Sequence, residues 1–290
     1  MTSFLRRWRE EKTSAVNTAD NEAGLLISSA ITAGVPFLAG RGGWMESYAA
    51  GIWRSGGAPE PGFLQKLHSH AGVFPATPGQ LENFSSSYLD ALASADLLGI
   101  MQSPFEGWLL TKTRAAGRRS RLRALEPYLS PKPWSACLRG RSVLVVHPFT
   151  ASITSQYMEN RDRLFADPEV LPEFQLQTLQ APQTMCGATG GFASWSDALE
   201  ETRDKISLQQ FDVAIVGCGA YGLPLAAFIK NALGKPVVHF GGATQLLFGI
   251  SGERWRNRPE HAALMNEFWR PPREEERPPG WRQIEEGCYW

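Results

Sequence analysis

The sequence predicts an α/β protein with a doubly wound, mostly parallel, Rossmann-like sheet that has helices on both faces. Three observations support this fold class. Short apolar runs alternate with segments of helical periodicity through residues 21–255. Glycine-rich turns follow several of the apolar runs. The clearest stretch, residues 211–240, has the pattern strand, glycine turn, helix, strand, which is one βαβ unit with parallel strands.

The N-terminal half repeats this pattern. Helical periodicity over 21–34 precedes a short apolar strand at 36–39, a glycine turn at 40–43 and a helix from 44 to 53. A further helix is predicted over 81–95 and a strand over 97–101. Residues 112–125 are rich in arginine and predict a basic helix. Its charges either face solvent or attract an anionic substrate or a membrane surface.

The second half gives clearer signals. Strands are predicted at 142–146, 174–179, 213–216 and 237–240, and helices at 152–165, at 194–206 and after Gly222. Ser194 is a candidate N-cap. We divide the chain into an accessory segment (1–20), an α/β part (21–130), a Rossmann-like part (131–255) and a C-terminal tail (256–290). The tail region is rich in tryptophan and is expected to pack back on the domain or on another subunit.

The composition limits the classes of protein to which the chain can belong. Lysine plus arginine and aspartate plus glutamate both number 29, so no general attraction to nucleic acid is expected. The four cysteines lie far apart without a C-x-x-C pair, which disfavours a zinc site and indicates a reduced, cytoplasmic protein. No apolar run makes a good transmembrane helix. Association with the inner face of the membrane, through the 112–125 helix, and an oligomeric state both stay open.

The spacing of Gly217, Gly219 and Gly222 matches the dinucleotide-binding fingerprint G-x-G-x-x-G. In NAD-binding proteins an acidic residue about 20 positions further on holds the ribose. Here the next strand ends in His239 and Phe240, followed by glycines and no carboxylate. Three interpretations stay open: a purely structural turn, a site for a phosphate-bearing ligand other than NAD, and an NAD site.

Ligands of parallel sheets bind outside the carboxyl ends of the strands. Glu46, in the first turn of a predicted helix, is a candidate catalytic base or sugar contact; alternatively it pairs with Arg41 or stabilises the helix N-terminus. His147, at a strand end, is a candidate base, phosphate contact or structural hydrogen bonder. The candidate residues for binding a cofactor or co-substrate are Arg41, Gly43, Gly217, Gly219, Tyr221, Gly222, Gly242, Thr244 and Gln245.

Four sequence strings resemble a bacterial family associated with surface-polysaccharide genes and related to the GT-D-type glycosyltransferases. They are VLVVHPFTASITSQY, FDVAIVGCGAYGLPLAAFIK, HFGGATQLLFGISGERW and the closing EEGCYW. The resemblance covers most of residues 21–290 and is densest over 142–255. It implies a nucleotide-sugar donor as co-substrate, a glycan or lipid-linked acceptor, and sugar transfer in polysaccharide synthesis.

GT-D enzymes have an Arg-x-Gly-Asp-x-Glu element whose acidic pair serves sugar-nucleotide and metal binding. Arg41, Gly43 and Glu46 match this element, and Trp44 stands in the place of the aspartate. Because tryptophan cannot ligate a metal, a divalent metal is doubtful here and we assign no metal ligand. The resemblance favours a glycosyltransferase. A nucleotide-binding protein without turnover and an NAD-dependent oxidoreductase are the alternatives.

Overall fold

A computed structural model describes residues 16–113, 117–283 and 287–290. Most of the predicted accessory segment, residues 1–15, therefore lies outside the described residues, as does 114–116 in the arginine-rich segment. Within the described part, seven strands form one sheet in the order β3-β2-β1-β7-β6-β4-β5. The strands are β1 (Phe37–Arg41), β2 (Leu97–Ile100), β3 (Arg118–Arg121), β4 (Ser142–His147), β5 (Gln175–Gln180), β6 (Val213–Val216) and β7 (Pro236–His239).

The described residues also form eleven α-helices and several short 3₁₀ helices. The α-helices are α1 (Asp20–Ala33), α2 (Trp44–Arg54), α3 (Phe63–Ala71), α4 (Pro78–Ser94), α5 (Glu106–Thr113), α6 (Thr150–Asn160), α7 (Trp195–Ser207), α8 (Gly222–Asn231), α9 (Thr244–Leu247), α10 (Glu253–Arg256) and α11 (Pro259–Ala262). The 3₁₀ helices are Leu122–Leu125, Pro127–Leu129, Trp134–Leu138, Arg161–Arg163, Gly219–Tyr221, Gly241–Ala243, Glu274–Glu276 and Trp281–Gln283.

All strand pairs in the sheet are parallel, which confirms the predicted α/β, Rossmann-like fold class. The pairing of β1 with β7 joins the α/β part and the Rossmann-like part in one continuous sheet. Because successive side chains of a strand point to opposite faces, the apolar strands supply two cores at once. In β4, Leu144 and Val146 belong to one core, and Val143 and Val145 belong to the other.

The helices divide between these two cores, so the sheet is covered on both faces as predicted. Helices α2, α4, α7 and α8 share the core of Leu144, whereas α1, α6 and α9 share the core of Val145. The helices that follow four adjacent strands therefore lie on alternate faces of the sheet, in the strand order β1, β7, β6 and β4. A crevice opens at the carboxyl edge of a sheet wherever neighbouring connections diverge in this way. The topology places a candidate ligand site over these four central strands.

The predicted basic helix over 112–125 is wrong. Helix α5 ends at Thr113, residues 118–121 form the edge strand β3, and Leu122–Leu125 is a 3₁₀ helix. On one side, residues 118–121 pair with β2, and this strand pairing outweighs the helix propensity of the segment. On the other side, the Arg119 carbonyl accepts hydrogen bonds from the backbone N–H groups of Asn17 (2.8 Å) and Thr18 (3.0 Å). Because Arg121 also pairs with Asp20 at 2.5 Å, this segment is not a free cationic helix. Membrane association through residues 112–125 stays a prediction.

Within the described residues, no helix combines the length and the apolar character that crossing a bilayer requires.

The tail packs against the sheet domain, as the tryptophan content predicted. Trp255, Trp269 and Trp290 are all buried. The Gln245 side-chain amide donates a hydrogen bond to the Tyr289 carbonyl at 3.0 Å. This contact brings the last described residues over the carboxyl edge of the sheet.

Two of the three fingerprint glycines are required by packing. A Cβ on Gly217 would lie 2.6 Å from the Thr244 Cβ, and a Cβ on Gly222 would lie 2.6 Å from the His239 Nδ1. Gly219 differs, because its φ of +56° is a conformation that favours glycine and a Cβ there would meet no atom within 4 Å. The turn is thus structural at two positions and open to a ligand at the third.

We expect Gly222→Ala to destabilise the fold by about 1–3 kcal/mol, because the added methyl group must displace the buried His239 ring. Urea unfolding measures this change. Gly79→Ala is the matched control, since Gly79 lies in helix α4 and a Cβ there meets no atom within 4 Å. Equal unfolding midpoints for Gly222→Ala and the wild type would show that the β6–α8 turn is not tightly packed on β7.

Candidate functional site

A cavity of about 590 Å³ lies at the carboxyl edge of the four central strands. This volume is in the range of small-molecule sites, and its position is the one that the topology predicts. Each central strand contributes the segment that follows it, and the tail closes one side. The lining includes residues 41–46, 147–149, 182–185, 217–221 and 241–242, together with tail residues 254, 258, 289 and 290.

The structure brings most of the sequence-predicted site residues together around this cavity. Two of them lie behind the wall. Gly222 packs on the His239 ring, and Thr244 is fully buried with its hydroxyl directed at the Val216 carbonyl, 3.5 Å away. Neither contacts the cavity directly, so their role is to pack the β6–α8 turn. The predicted residues that line the cavity are Arg41, Gly43, Glu46, His147, Gly217, Gly219, Tyr221, Gly242 and Gln245.

The cavity wall has more cations than anions. Arg41, Arg254 and Arg258 line it, and Glu46 is the one carboxylate side chain among the described lining residues. The Arg41 guanidinium donates from Nε to the Gly42 carbonyl at 2.8 Å and contacts the Met101 sulfur, but no described carboxylate lies within salt-bridge distance of it. Arg41 can therefore make a direct charge-assisted contact with an anionic ligand.

Three long helices begin at this edge, and two of their N-termini are already satisfied by the chain's own carboxylates. At α2, the Glu46 carboxylate accepts from its own backbone N–H. At α6, Glu276 accepts from the N–H groups of Ala151 (2.8 Å) and Ser152 (3.1 Å). At α8, no described side chain caps the N-terminus. Instead the 3₁₀ turn Gly219–Tyr221 runs directly into α8, and the Gly222 N–H donates to the Gly219 carbonyl, so the turn itself is the part of this helix start that faces the cavity.

Burial and neighbouring charge act in opposite directions on the pKa of Glu46. Burial raises the pKa of its carboxyl above the usual value, and the hydrogen bond from its own N–H and the charge of Arg41 oppose this rise. A carboxylate with a raised pKa accepts a proton more readily near neutral pH. Its position is set by Gly43, since a Cβ on Gly43 would lie 2.7 Å from the Glu46 Oε1. Gly43 therefore leaves the space that the Glu46 carboxylate occupies.

Two buried histidines face the cavity in opposite tautomers. His147 Nδ1 accepts from the Phe149 N–H at 3.0 Å, so in the neutral ring the proton is on Nε2. His239 Nδ1 lies 2.9 Å from the Val216 carbonyl and must donate to it, so its Nε2 is an acceptor. Burial lowers the pKa of His147 to about 3 and that of His239 to about 4. His147 is therefore a neutral hydrogen-bond donor rather than a base.

Sequence reasoning missed His239 as a site residue, because the end of its strand was examined only for a carboxylate. The available signal was its position, at the carboxyl end of the strand that follows the glycine turn. It also missed Glu106, which is buried behind Arg41 and accepts from the N–H groups of Met101 (3.2 Å) and Gln102 (2.7 Å). Glu106 thereby fixes the loop whose Met101 sulfur contacts Arg41.

Tyr221 lines the cavity with its ring rather than with a free hydroxyl. Its Oη lies 2.8 Å from the Thr184 Oγ1, and its ring stacks on Trp195 with centroids 5.4 Å apart. Thr184 in turn donates to the Gly72 carbonyl at 2.7 Å. Tyr221 therefore connects the glycine turn to the 182–185 loop and helps to shape the cavity.

The residues at the Arg-x-Gly-x-x-Glu element do not fit a divalent metal. Trp44 supplies no ligand atom, which leaves Glu46 as the single carboxylate on the described wall. Across the described ranges, no group of three or more histidine, cysteine, aspartate or glutamate side chains is arranged to hold a metal ion. We therefore derive no reaction step through a metal.

The fold and the cavity define an α/β protein with an anion-favouring site at the carboxyl edge of its sheet. A scan against protein-family models, a search of curated proteins and a search of solved structures each returned no match.

We expect His147→Asn to reduce the sensitivity of the fold to acid. Unfolded histidine titrates near pH 6.5, whereas burial lowers the pKa of His147 to about 3. Between these values the unfolded state binds more protons, so stability falls as the pH falls through this window. Asparagine can supply an acceptor to the Phe149 N–H but does not titrate. The stability difference between wild type and variant should change by about 2 kcal/mol from about pH 6.5 to about pH 5.

Urea unfolding across this pH range measures the effect. Comparison with the variant is essential, because burial raises the pKa of Glu46 and of Glu106, and these groups change stability with pH in the opposite sense. Their contributions cancel in the difference. Parallel stability curves for the two proteins would contradict a neutral, buried His147.

Proposed function

We propose that this protein is a glycosyltransferase that takes a nucleotide-sugar donor into the cavity and transfers the sugar to a glycan or lipid-linked acceptor. One observation is central to the proposal. The backbone of the 3₁₀ turn that begins at Gly219, where an added Cβ would meet no atom within 4 Å, and the Arg41 guanidinium border the same cavity. Together they suit a diphosphate, which needs backbone donors and a cation. The resemblance to GT-D-type enzymes points to the same substrate class.

Each of the cavity residues has a separate role in such a reaction. The acceptor oxygen bonds to the anomeric carbon, Glu46 takes the proton of that hydroxyl, and the bond from the carbon to the diphosphate oxygen breaks. The electron pair leaves with the nucleoside diphosphate. Arg41 and the backbone of the Gly219 turn stabilise the charge that develops there. The Nε2–H of His147 can donate a hydrogen bond to the same group, and the Nε2 of His239 can accept one from a hydroxyl.

A nucleotide-binding protein without turnover is the second candidate. The observation that favours it is the single carboxylate on the described cavity wall, because the neutral His147 offers no second base. An NAD-dependent oxidoreductase has less support. The strand that should end in the ribose-binding acid ends in His239, whose Nδ1 is already committed to the Val216 carbonyl.

We expect Arg41→Ala to weaken binding of nucleoside diphosphates and nucleotide sugars by about tenfold or more, because a charge-assisted contact to phosphate is lost. A thermal-shift screen with and without manganese, followed by calorimetry, measures this. Arg118→Ala is the matched control, since Arg118 is an exposed arginine on the edge strand β3. If no nucleoside diphosphate or nucleotide sugar stabilises the wild type, the donor site is refuted.

Glu46→Gln should reduce turnover by about 10²–10⁴-fold while donor affinity stays within about threefold, because the amide cannot accept the acceptor proton. The assay follows release of nucleoside diphosphate from whichever donor stabilises the wild type, with a bacterial glycan and lipid extract as the source of acceptor. A variant as active as the wild type would remove Glu46 from the role of base. Donor binding without any turnover in the wild type would favour the binding-protein alternative.

A further inference from the structure

Trp44 lies at the mouth of the cavity and is unusually exposed. Its side chain is 51% accessible, and it is the only aromatic residue among the large apolar side chains that are exposed in the described chain. It also lines the cavity. Tryptophan has a large apolar surface that is usually buried, so an exposed indole beside a ligand cavity indicates a contact surface.

The indole is supported from behind. Tyr48, one helical turn further along α2, stacks on Trp44 with centroids 5.8 Å apart and planes 18° from parallel. Tyr48 is packed in turn against Phe63 at 5.2 Å and Phe105 at 5.9 Å. We call Trp44 and Tyr48 the aromatic platform. Because the platform is held by packing, little conformational entropy would be lost when a ligand binds on it.

The platform adjoins the proposed base. Trp44 and Glu46 belong to the same first turn of α2, and both line the same cavity. Arg41, Trp44 and Glu46 all belong to the segment 41–46 that follows β1 and lines the cavity, so the platform borders the proposed reaction centre.

We infer that the aromatic platform is the acceptor subsite and that it binds one pyranose ring of a glycan through the apolar C–H face of the sugar. This inference rests on the proposed function and specifies its acceptor. A half-exposed indole can cover one face of a ring and leave the remainder of the ligand in solvent. Such an arrangement suits a glycan that is longer than the cavity of about 590 Å³.

A nucleobase fits this position less well. The base of a nucleotide sugar is tethered to the diphosphate that Arg41 and the Gly219 turn would hold inside the cavity. A base also presents polar edge atoms, which binding sites for small ligands satisfy with specific hydrogen bonds. Trp44 makes no hydrogen bond in the described structure and offers mainly an apolar face.

The test measures binding of defined sugars by saturation-transfer NMR and calorimetry. The probes are methyl glucoside, methyl galactoside, N-acetylglucosamine, lactose, cellobiose and chitobiose, each with and without a nucleoside diphosphate. We expect at least one disaccharide to bind. Trp44→Ala should weaken its binding by about tenfold, and Trp44→Phe, which keeps an aromatic face, should weaken it less. Leu208→Ala is the control, because Leu208 is 80% exposed and does not line the cavity.

Three outcomes would overturn the inference: no sugar of the panel binds, the sugars bind Trp44→Ala as well as the wild type, or Trp44→Ala weakens binding of free nucleosides instead. Thermal unfolding confirms that each variant is folded, and Trp44→Phe provides a second variant if Trp44→Ala is not. The proposed function is decided separately. Nucleoside diphosphates should stabilise Trp44→Ala as they do the wild type, so failure of the acceptor subsite is distinguishable from failure of the donor site.

Discussion

The close packing of the β6–α8 turn on strand β7 is the contact on which the centre of the molecule depends. Gly217 lets the turn approach Thr244, and Gly222 lets α8 approach the His239 ring. These approaches bring the two central strands and the start of α8 to one point at the edge of the sheet. They also orient His239, whose Nδ1 is bound to the Val216 carbonyl. The same glycines that resemble a nucleotide fingerprint are thus needed first for packing, and only Gly219 is left to meet a ligand.

A second constraint is the way the chain satisfies its own helix N-termini. An uncapped N-terminus at a buried edge costs free energy unless an acceptor reaches it. Glu46 meets this need at α2, and Glu276 reaches from the tail to meet it at α6. The need for acceptors at the two helix N-termini therefore helps to set the positions of both carboxylates. At α8 the preceding 3₁₀ turn meets part of this need, because the Gly219 carbonyl accepts from the Gly222 N–H.

Much of the fold could be predicted from the sequence because strand–turn–helix patterns are local. The residues of β4, β6 and β7 and the Ser194 cap of α7, which accepts from the Asp197 N–H at 3.1 Å, follow from periodicity and turn chemistry. The 112–125 segment could not, because β3 depends on pairing with β2 and on Asn17, which is about 100 residues away in sequence. Arg41 and Gly219 both follow parallel strands, so the sequence predicts that they line one site at the carboxyl edge of the sheet. The tautomers of His147 and His239 could not be predicted, because they depend on hydrogen-bond partners that only the folded chain supplies.

Burial affects the titratable groups of the cavity unequally, and this inequality bears on the kind of ligand. His147 and His239 are kept neutral because burial lowers the pKa of each, and burial favours the protonated form of Glu46. Arginine cannot respond in this way, because its guanidinium stays protonated in proteins. Arg41 therefore keeps a positive charge that no described carboxylate pairs at short range. The Arg41 charge acts on the Glu46 and Glu106 carboxyls without a direct ion pair, so a ligand that supplies negative charge at this point gains a direct charge-assisted contact.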